Sequence, residues 1–210
     1  MKLLELKDPR WKLDTLTVEP AGTQWLKPGL RKYSCQLTID TNTVHPNLKL
    51  SDNNRKVTRV DEVQSYPDHP DRFDVCYQLL CRNGLTGRCY WEVEWRRRVE
   101  IAVSYRGIER KGDGDDCVSG ENDKSWSLRC SDNGSHSVWH NSSKVSSASS
   151  SSSSVSNRVA VYVDCPAGTL SFYILSSDTL IHIHTFNTTF TEPLYPGFWF
   201  RSSGASVCLC

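Results

Sequence analysis

No apolar stretch in these 210 residues approaches the roughly 18 that a membrane-crossing helix needs. No transmembrane helix is therefore expected. Neither sign of charge is in excess, since 25 Lys and Arg stand against 24 Asp and Glu, a net charge of +1. A dedicated binder of nucleic acid or anionic membrane should show its electrostatic footprint in those totals, so neither partner is expected. The opening Met1-Lys2-Leu3-Leu4-Glu5 meets charge before any hydrophobic region of signal-peptide length can form. The expectation is a soluble, cytoplasmic chain.

Motifs of catalysis and metal binding are missing as well. There is no Gly-x-Ser-x-Gly elbow, no His-Glu-x-x-His and no Gly-x-x-x-x-Gly-Lys-Ser/Thr loop. Zinc would want Cys-x-x-Cys paired with His-x-x-x-His spacing; no Cys-x-x-Cys occurs, so the lone His136-x-x-x-His140 has no cysteine pair to complete a site. His182-Ile183-His184 places two imidazoles two apart on a strand, with no third ligand suggested. Glu92 and Glu94 alternate in the same way and read as the polar face of a strand. No enzyme activity, cofactor or metal is expected. Nine cysteines form an odd, irregularly spaced set. Without a secretory leader they read as reduced thiols serving as small core hydrophobes. Three sequons, at Asn133, Asn141 and Asn187, matter only if the chain is secreted.

What is present is alternation with a period of two. Cys89, Trp91, Val93 and Trp95 alternate with Tyr90, Glu92 and Glu94. Val99 to Tyr105, Val159 to Val163 and Leu170 to Ile174 repeat the pattern. Pro166-Ala167-Gly168 joins two such runs at hairpin distance, Pro presetting φ and Gly supplying freedom. Several such strands and no amphipathic helix describe an all-β, antiparallel β-sandwich. The aromatic residues on them, among them Trp91, Trp95, Trp126, Tyr162, Phe172 and Phe198, are expected in the core. Sixteen serines fall in residues 125 to 156, and residues 142–157 read as a disordered loop that buries too little apolar surface to order itself.

The strand markers carry a family resemblance. Trp91-Glu92-Val93-Glu94, after Gly87-Arg88-Cys89-Tyr90, resembles the signature strand of the SPRY domain. Val163-Asp164 through Leu170-Ser171-Phe172-Tyr173 resembles its second hallmark, and Phe190 through Pro196-Gly197-Phe198 its closing motif. Leu37-Thr38-Ile39-Asp40 with His45 to Ser51 is similar to the accompanying PRY segment, and Arg72-Phe73-Asp74 to the strand leading out of it. The pattern departs at Thr41, where Pro is usual, and at Arg96-Arg97-Arg98, where a Gly-containing turn is usual. The resemblance implies a leader over 1–32, a PRY segment over 33–72 and a SPRY domain over 73–210, folded as two bent sheets of jelly-roll type.

It is strongest to fish members of the family, at the C-termini of NOD-like receptors and tripartite-motif proteins and in stonustoxin-type toxins. Residues 3 to 16 look like the end of a leucine-rich repeat, and Trp25 to Leu30 like the bridge into PRY. This implies the C-terminal recognition module of an innate-immune receptor, monomeric on its own, binding a protein ligand through variable loops on a rigid scaffold. The alternatives are a secreted toxin-like domain, the substrate arm of a tripartite-motif ubiquitin ligase, and a carbohydrate-binding sandwich. The candidate contact residues are Tyr66, Asp68, His69 and Arg72 in one loop and Arg110, Asp113, Asp115 and Asp116 in another.

Overall fold

The computed structural model describes residues 24–26, 28–149, 156–176 and 179–210. The expected leucine-rich-repeat segment, residues 3 to 16, lies outside them. Among the described residues, fourteen strands form two antiparallel sheets. The first carries, in spatial order, β1 (Gln24–Leu26), β12 (Thr179–Asn187), β11 (Thr169–Ser176), β10 (Arg158–Asp164), β5 (Arg88–Arg96), β14 (Ser206–Leu209), β3 (Lys56–Arg59) and β2 (Leu48–Ser51). The second carries β4 (Gln78–Leu80), β13 (Leu194–Phe200), β6 (Val99–Tyr105), β7 (Ser125–Cys130), β8 (Ser135–His140) and β9 (Ser143–Ser149). A helical turn, α1 (Pro28–Arg31), lies between β1 and β2.

The period-two reading holds where it is strongest. Cys89, Trp91, Val93 and Trp95 point into the cluster between the sheets, with Val161, Phe172, Ile101, Leu128 and Phe198. Each fully buried Val, Leu or Phe there contributes roughly 1.5–3 kcal/mol. The opposite face of β5 is not the solvated one expected. Tyr90 is buried with Ala160, Tyr162 and Tyr173 in a second cluster that α1 closes with Leu30. Glu92 is buried too; its carboxylate accepts hydrogen bonds from Tyr90 Oη at 2.8 Å and Arg158 Nη2 at 3.0 Å.

Three expectations are corrected. Part of the serine tract is ordered: Ser143–Ser149 forms β9, the edge of the second sheet, paired with β8. Ala148 packs against the main core, and the Ser146 hydroxyl donates to the Ile183 carbonyl at 3.2 Å, tying the edge to the other sheet. Neighbouring backbone supplies the stability that serine composition lacks. Residues 150–155 of the tract lie outside the described residues. The cysteines are not all free, since Cys35 and Cys89 form a disulfide. The others divide into buried thiols (Cys76, Cys81, Cys117, Cys130) and the more accessible Cys165, Cys208 and Cys210. Finally, Arg72-Phe73-Asp74 forms no strand; the chain bends there and pairs again only at Gln78.

His182 and His184 do not share one open strand face. A bulge in the β11–β12 pairing separates them, placing Phe172 opposite His184 and Tyr173 opposite His182. His182 is buried against Tyr173, with its Nε2 2.8 Å from the Thr185 hydroxyl, whereas His184 packs on Phe186. Among the described residues, no three His, Cys, Asp or Glu side chains gather as a metal site would require.

Candidate interaction surface

The segment from Tyr66 to Asp74 and the segment from Arg106 to Lys124 lie far apart in sequence but form one surface. The Asp74 amide donates to the Arg110 carbonyl at 3.3 Å, and the Gly112 amide to Asp74 Oδ1 at 3.0 Å. Lys111 Nζ donates to the Arg72 carbonyl at 3.0 Å. Arg106 bridges Asp40 at 3.0 Å and Asp71 at 2.6 Å. Beneath them is a small core of its own: Phe73, Cys76, Leu80, Ile108, Cys117 and Val118, flanked by Tyr195 and Trp199 of β13. Leu80, Tyr195 and Trp199 belong to strands of the second sheet, so the paired loops are seated on rigid backbone.

Two of the residues singled out as contacts have another task. Arg72 is 6% exposed, and its guanidinium donates to the carbonyls of Thr41, Val44 and Pro67 at 2.6–2.9 Å. Two backbone stretches, 41–44 and the one at Pro67, are thereby gathered on one side chain. Arg110 is 8% exposed, stacks over Phe73 with 4.8 Å to the ring centroid, and donates to the carbonyls of Ile108 and Arg106. Burial, reinforced by the nearby Arg106 charge, lowers its pKa to about 10. Both arginines are clamps, corrected here from contacts to supports. Arg72 is held by the distant carbonyls of Thr41 and Val44, and Arg110 by the distant Phe73 ring and by carbonyls of its own loop.

The remaining candidates divide by exposure. Tyr66 is half-buried, its hydroxyl donating to the Leu48 carbonyl at 2.7 Å, and burial raises its pKa. His69 is also half-buried, with Nδ1 accepting the Asp71 amide at 3.1 Å. Asp68, Asp113, Asp115 and Asp116 are exposed, as are Asp74 and Val75, which the sequence had not marked. Val75 is one of few large apolar residues turned to solvent, at 47% exposure. Asn122 holds the acidic stretch from below, its amide donating to the carbonyls of Asp115 and Val118 at 2.9 and 2.8 Å. The outcome is a row of carboxylates on preformed backbone, a surface suited to docking.

Comparison with known proteins places this architecture. The profile of the SPRY-associated domain, PRY, matches residues 37–85, and that of the SPRY domain matches residues 88–210. The chain belongs to the SPRY domain family. Stonustoxin subunit beta of Synanceia horrida is 41% identical over 169 residues, which is 80% of this chain and 24% of the toxin subunit. Tripartite motif-containing protein 16 of Mus musculus is 36% identical over 80% of this chain and 30% of its own. The chain thus spans about a quarter of the length of the first of these relatives.

Among solved structures, stonustoxin superposes with a TM-score of 0.80 at 33% identity, covering 88% of this chain and 30% of that one. The TRIM65 PSpry domain superposes with a TM-score of 0.77 at 26% identity, covering 87% of this chain and 93% of that one. The SPRY domain is in general a non-catalytic module for binding protein ligands. In this PRY-SPRY unit the PRY part supplies β2, β3 and β4, and with them the Arg72 clamp, while the SPRY part supplies the Arg106–Lys124 loop.

Proposed function

We propose that this chain recognises a protein partner through the joined surface of residues 66–75 and 106–116. One observation carries the reading: two loops distant in sequence are fastened to each other over a private core, while their carboxylates stay in water. Loops held in place lose little conformational entropy on binding. Exposed carboxylates favour a partner with basic groups and speed the encounter. The module acts as a monomer and needs no cofactor, nucleic acid or membrane. It serves as the C-terminal recognition domain of a cytoplasmic, innate-immune receptor of the NOD-like type, a reading supported by the repeat-like composition of residues 3 to 16.

A second reading, a secreted toxin-like domain, draws on the Cys35–Cys89 disulfide and on the exposure of Asn133, Asn141 and Asn187. Disulfides persist mainly in oxidising compartments. Rapid alkylation of Cys35 and Cys89 in intact cells supports the cytoplasmic reading; a disulfide at those positions with glycan on the sequons supports the secreted one. The substrate arm of a ubiquitin ligase would use the same surface.

The surface itself is tested by affinity capture. Asp68→Lys, Asp113→Lys, Asp115→Lys and Asp116→Lys are combined, leaving Arg72 and Arg110 intact so that the loops keep their supports. The variant should melt within a few degrees of wild type and lose the captured protein. Equal capture by both proteins overturns the site.

A further inference from the structure

Cys76 and Cys117 are 41 residues apart, yet their Sγ atoms lie 2.7 Å from each other in the small core under the paired loops. A disulfide requires about 2.05 Å between sulfurs, so closure needs a movement of about 0.7 Å. Cys76 sits just before β4, whose pairing with β13 fixes it. Cys117 ends the short 3-10 turn Asp115–Cys117, and its thiol is aimed at the carbonyls of Gly112 and Gly114, both 3.1 Å away. The cover over the two sulfurs is thin, because residues 111–116 are all exposed. Cys81 and Cys130 are also buried as free thiols, but Cys76 and Cys117 are the two whose sulfurs meet.

We propose that Cys76 and Cys117 are a modification site, a dithiol that a small neutral peroxide converts into a disulfide joining the two loops. The thiolate of one cysteine attacks the peroxide O–O bond, forming an S–O bond and releasing hydroxide, which takes a proton to become water. The thiol of the other attacks the resulting sulfenic sulfur, forming the S–S bond and expelling a second water. Two thiols and one hydrogen peroxide thus give one disulfide and two waters, with two electrons passing from sulfur to oxygen. Burial first, with the charges of Asp74, Asp113 and Asp116, raises the pKa of both thiols, so the attacking thiolate is scarce and the oxidation slow. The same carboxylates disfavour an anionic oxidant such as glutathione disulfide, whereas a neutral peroxide meets no such repulsion. The bond would turn the noncovalent link between the loops into a covalent one.

The test treats the full chain, with Cys210→Ser removing the exposed thiol, with hydrogen peroxide. Free thiols are then blocked by alkylation and the peptides mapped by mass spectrometry. The expected product is a peptide pair linked through Cys76 and Cys117, with both thiols lost together. The melting temperature should rise by roughly 10 °C, as closing a loop of this length implies for a domain of this size. Cys76→Ser should abolish that rise and leave Cys117 as a sulfenic acid trapped by dimedone. Sulfenic or sulfinic acid on wild-type Cys76 or Cys117 without the linked peptide overturns the proposal, as does continued alkylation of both. The linked peptide is read in the parent protein, so the result stands even where the serine variant folds poorly.

Discussion

At the residue scale, the loops depend on buried polar groups whose protonation is fixed by geometry. His45 lies at the root of the candidate surface, packed 4.5 Å from the Tyr77 ring. Its Nδ1 accepts the Asn47 amide at 3.0 Å, and its Nε2 lies 3.1 Å from the Asp74 carbonyl. Only the neutral ring protonated on Nε2 satisfies both. Burial lowers the pKa below the ordinary 6.5, outweighing the opposing pull of the Asp74 carbonyl. His136 and His184 are lowered in the same direction, again mainly by burial. The folded state therefore binds fewer protons than the unfolded state once pH drops through about 6.5. The stability these neutral rings contribute is full above that pH and is lost as pH falls through their folded values. His45→Gln should flatten the fall of the urea midpoint below pH 6.5, by up to about 1.4 kcal/mol per pH unit of slope. Parallel slopes for variant and wild type would remove His45 from the account.

At the element scale, the hairpin between β10 and β11 shows a turn written in sequence and completed by tertiary contact. Gly168 has φ +69°, and a Cβ there would sit 2.0 Å from the Thr188 carbonyl oxygen. The Thr188 amide donates to the Gly168 carbonyl at 2.8 Å, so that neighbour cannot withdraw freely. Gly168→Ala should cost about 2–4 kcal/mol in chemical denaturation, combining left-handed strain with a backbone clash. A loss under about 0.5 kcal/mol would show that the β12 exit gives way instead. The turn residues and the alternation of β5, β6, β10 and β11 were legible because each depends on neighbours one to four positions away. The exceptions share a cause. Tyr90 and Glu92 read as solvated until α1 and Arg158 cover them, and β9 reads as disordered until β8 and β12 give its serines partners. Arg72 and Arg110 read as contacts because their residue type is common at interfaces, while Arg72 is claimed by a carbonyl 31 residues away and Arg110 is covered by the distant Phe73 ring. Long-range satisfaction of a polar group leaves no local trace.

At the scale of the whole molecule, one covalent bond joins the entry of the PRY segment to the centre of the eight-stranded sheet. Cys35 and Cys89 are 54 residues apart and enclose β2, β3 and β4, the strands carrying PRY into both sheets. The bond is flanked by backbone contacts, for the Cys35 amide donates to the Tyr90 carbonyl at 3.0 Å and the Tyr90 amide to the Tyr33 carbonyl at 2.8 Å. These contacts hold Tyr33 against the second cluster, where its ring lies 5.7 Å from that of Tyr162. Opening the bond releases the loop-closure constraint on the unfolded chain, worth about 4 kcal/mol for a loop of this length. Cys35→Ala with Cys89→Ala should therefore lower the melting temperature by roughly 10 °C in a domain of this size. Wild type measured in strong reductant should move toward the variant, whereas the variant should be indifferent to reductant. If wild type melts at one temperature with and without reductant, the flanking backbone bonds carry the junction unaided. The module would then keep the same stability in the reducing cytoplasm as in an oxidising compartment.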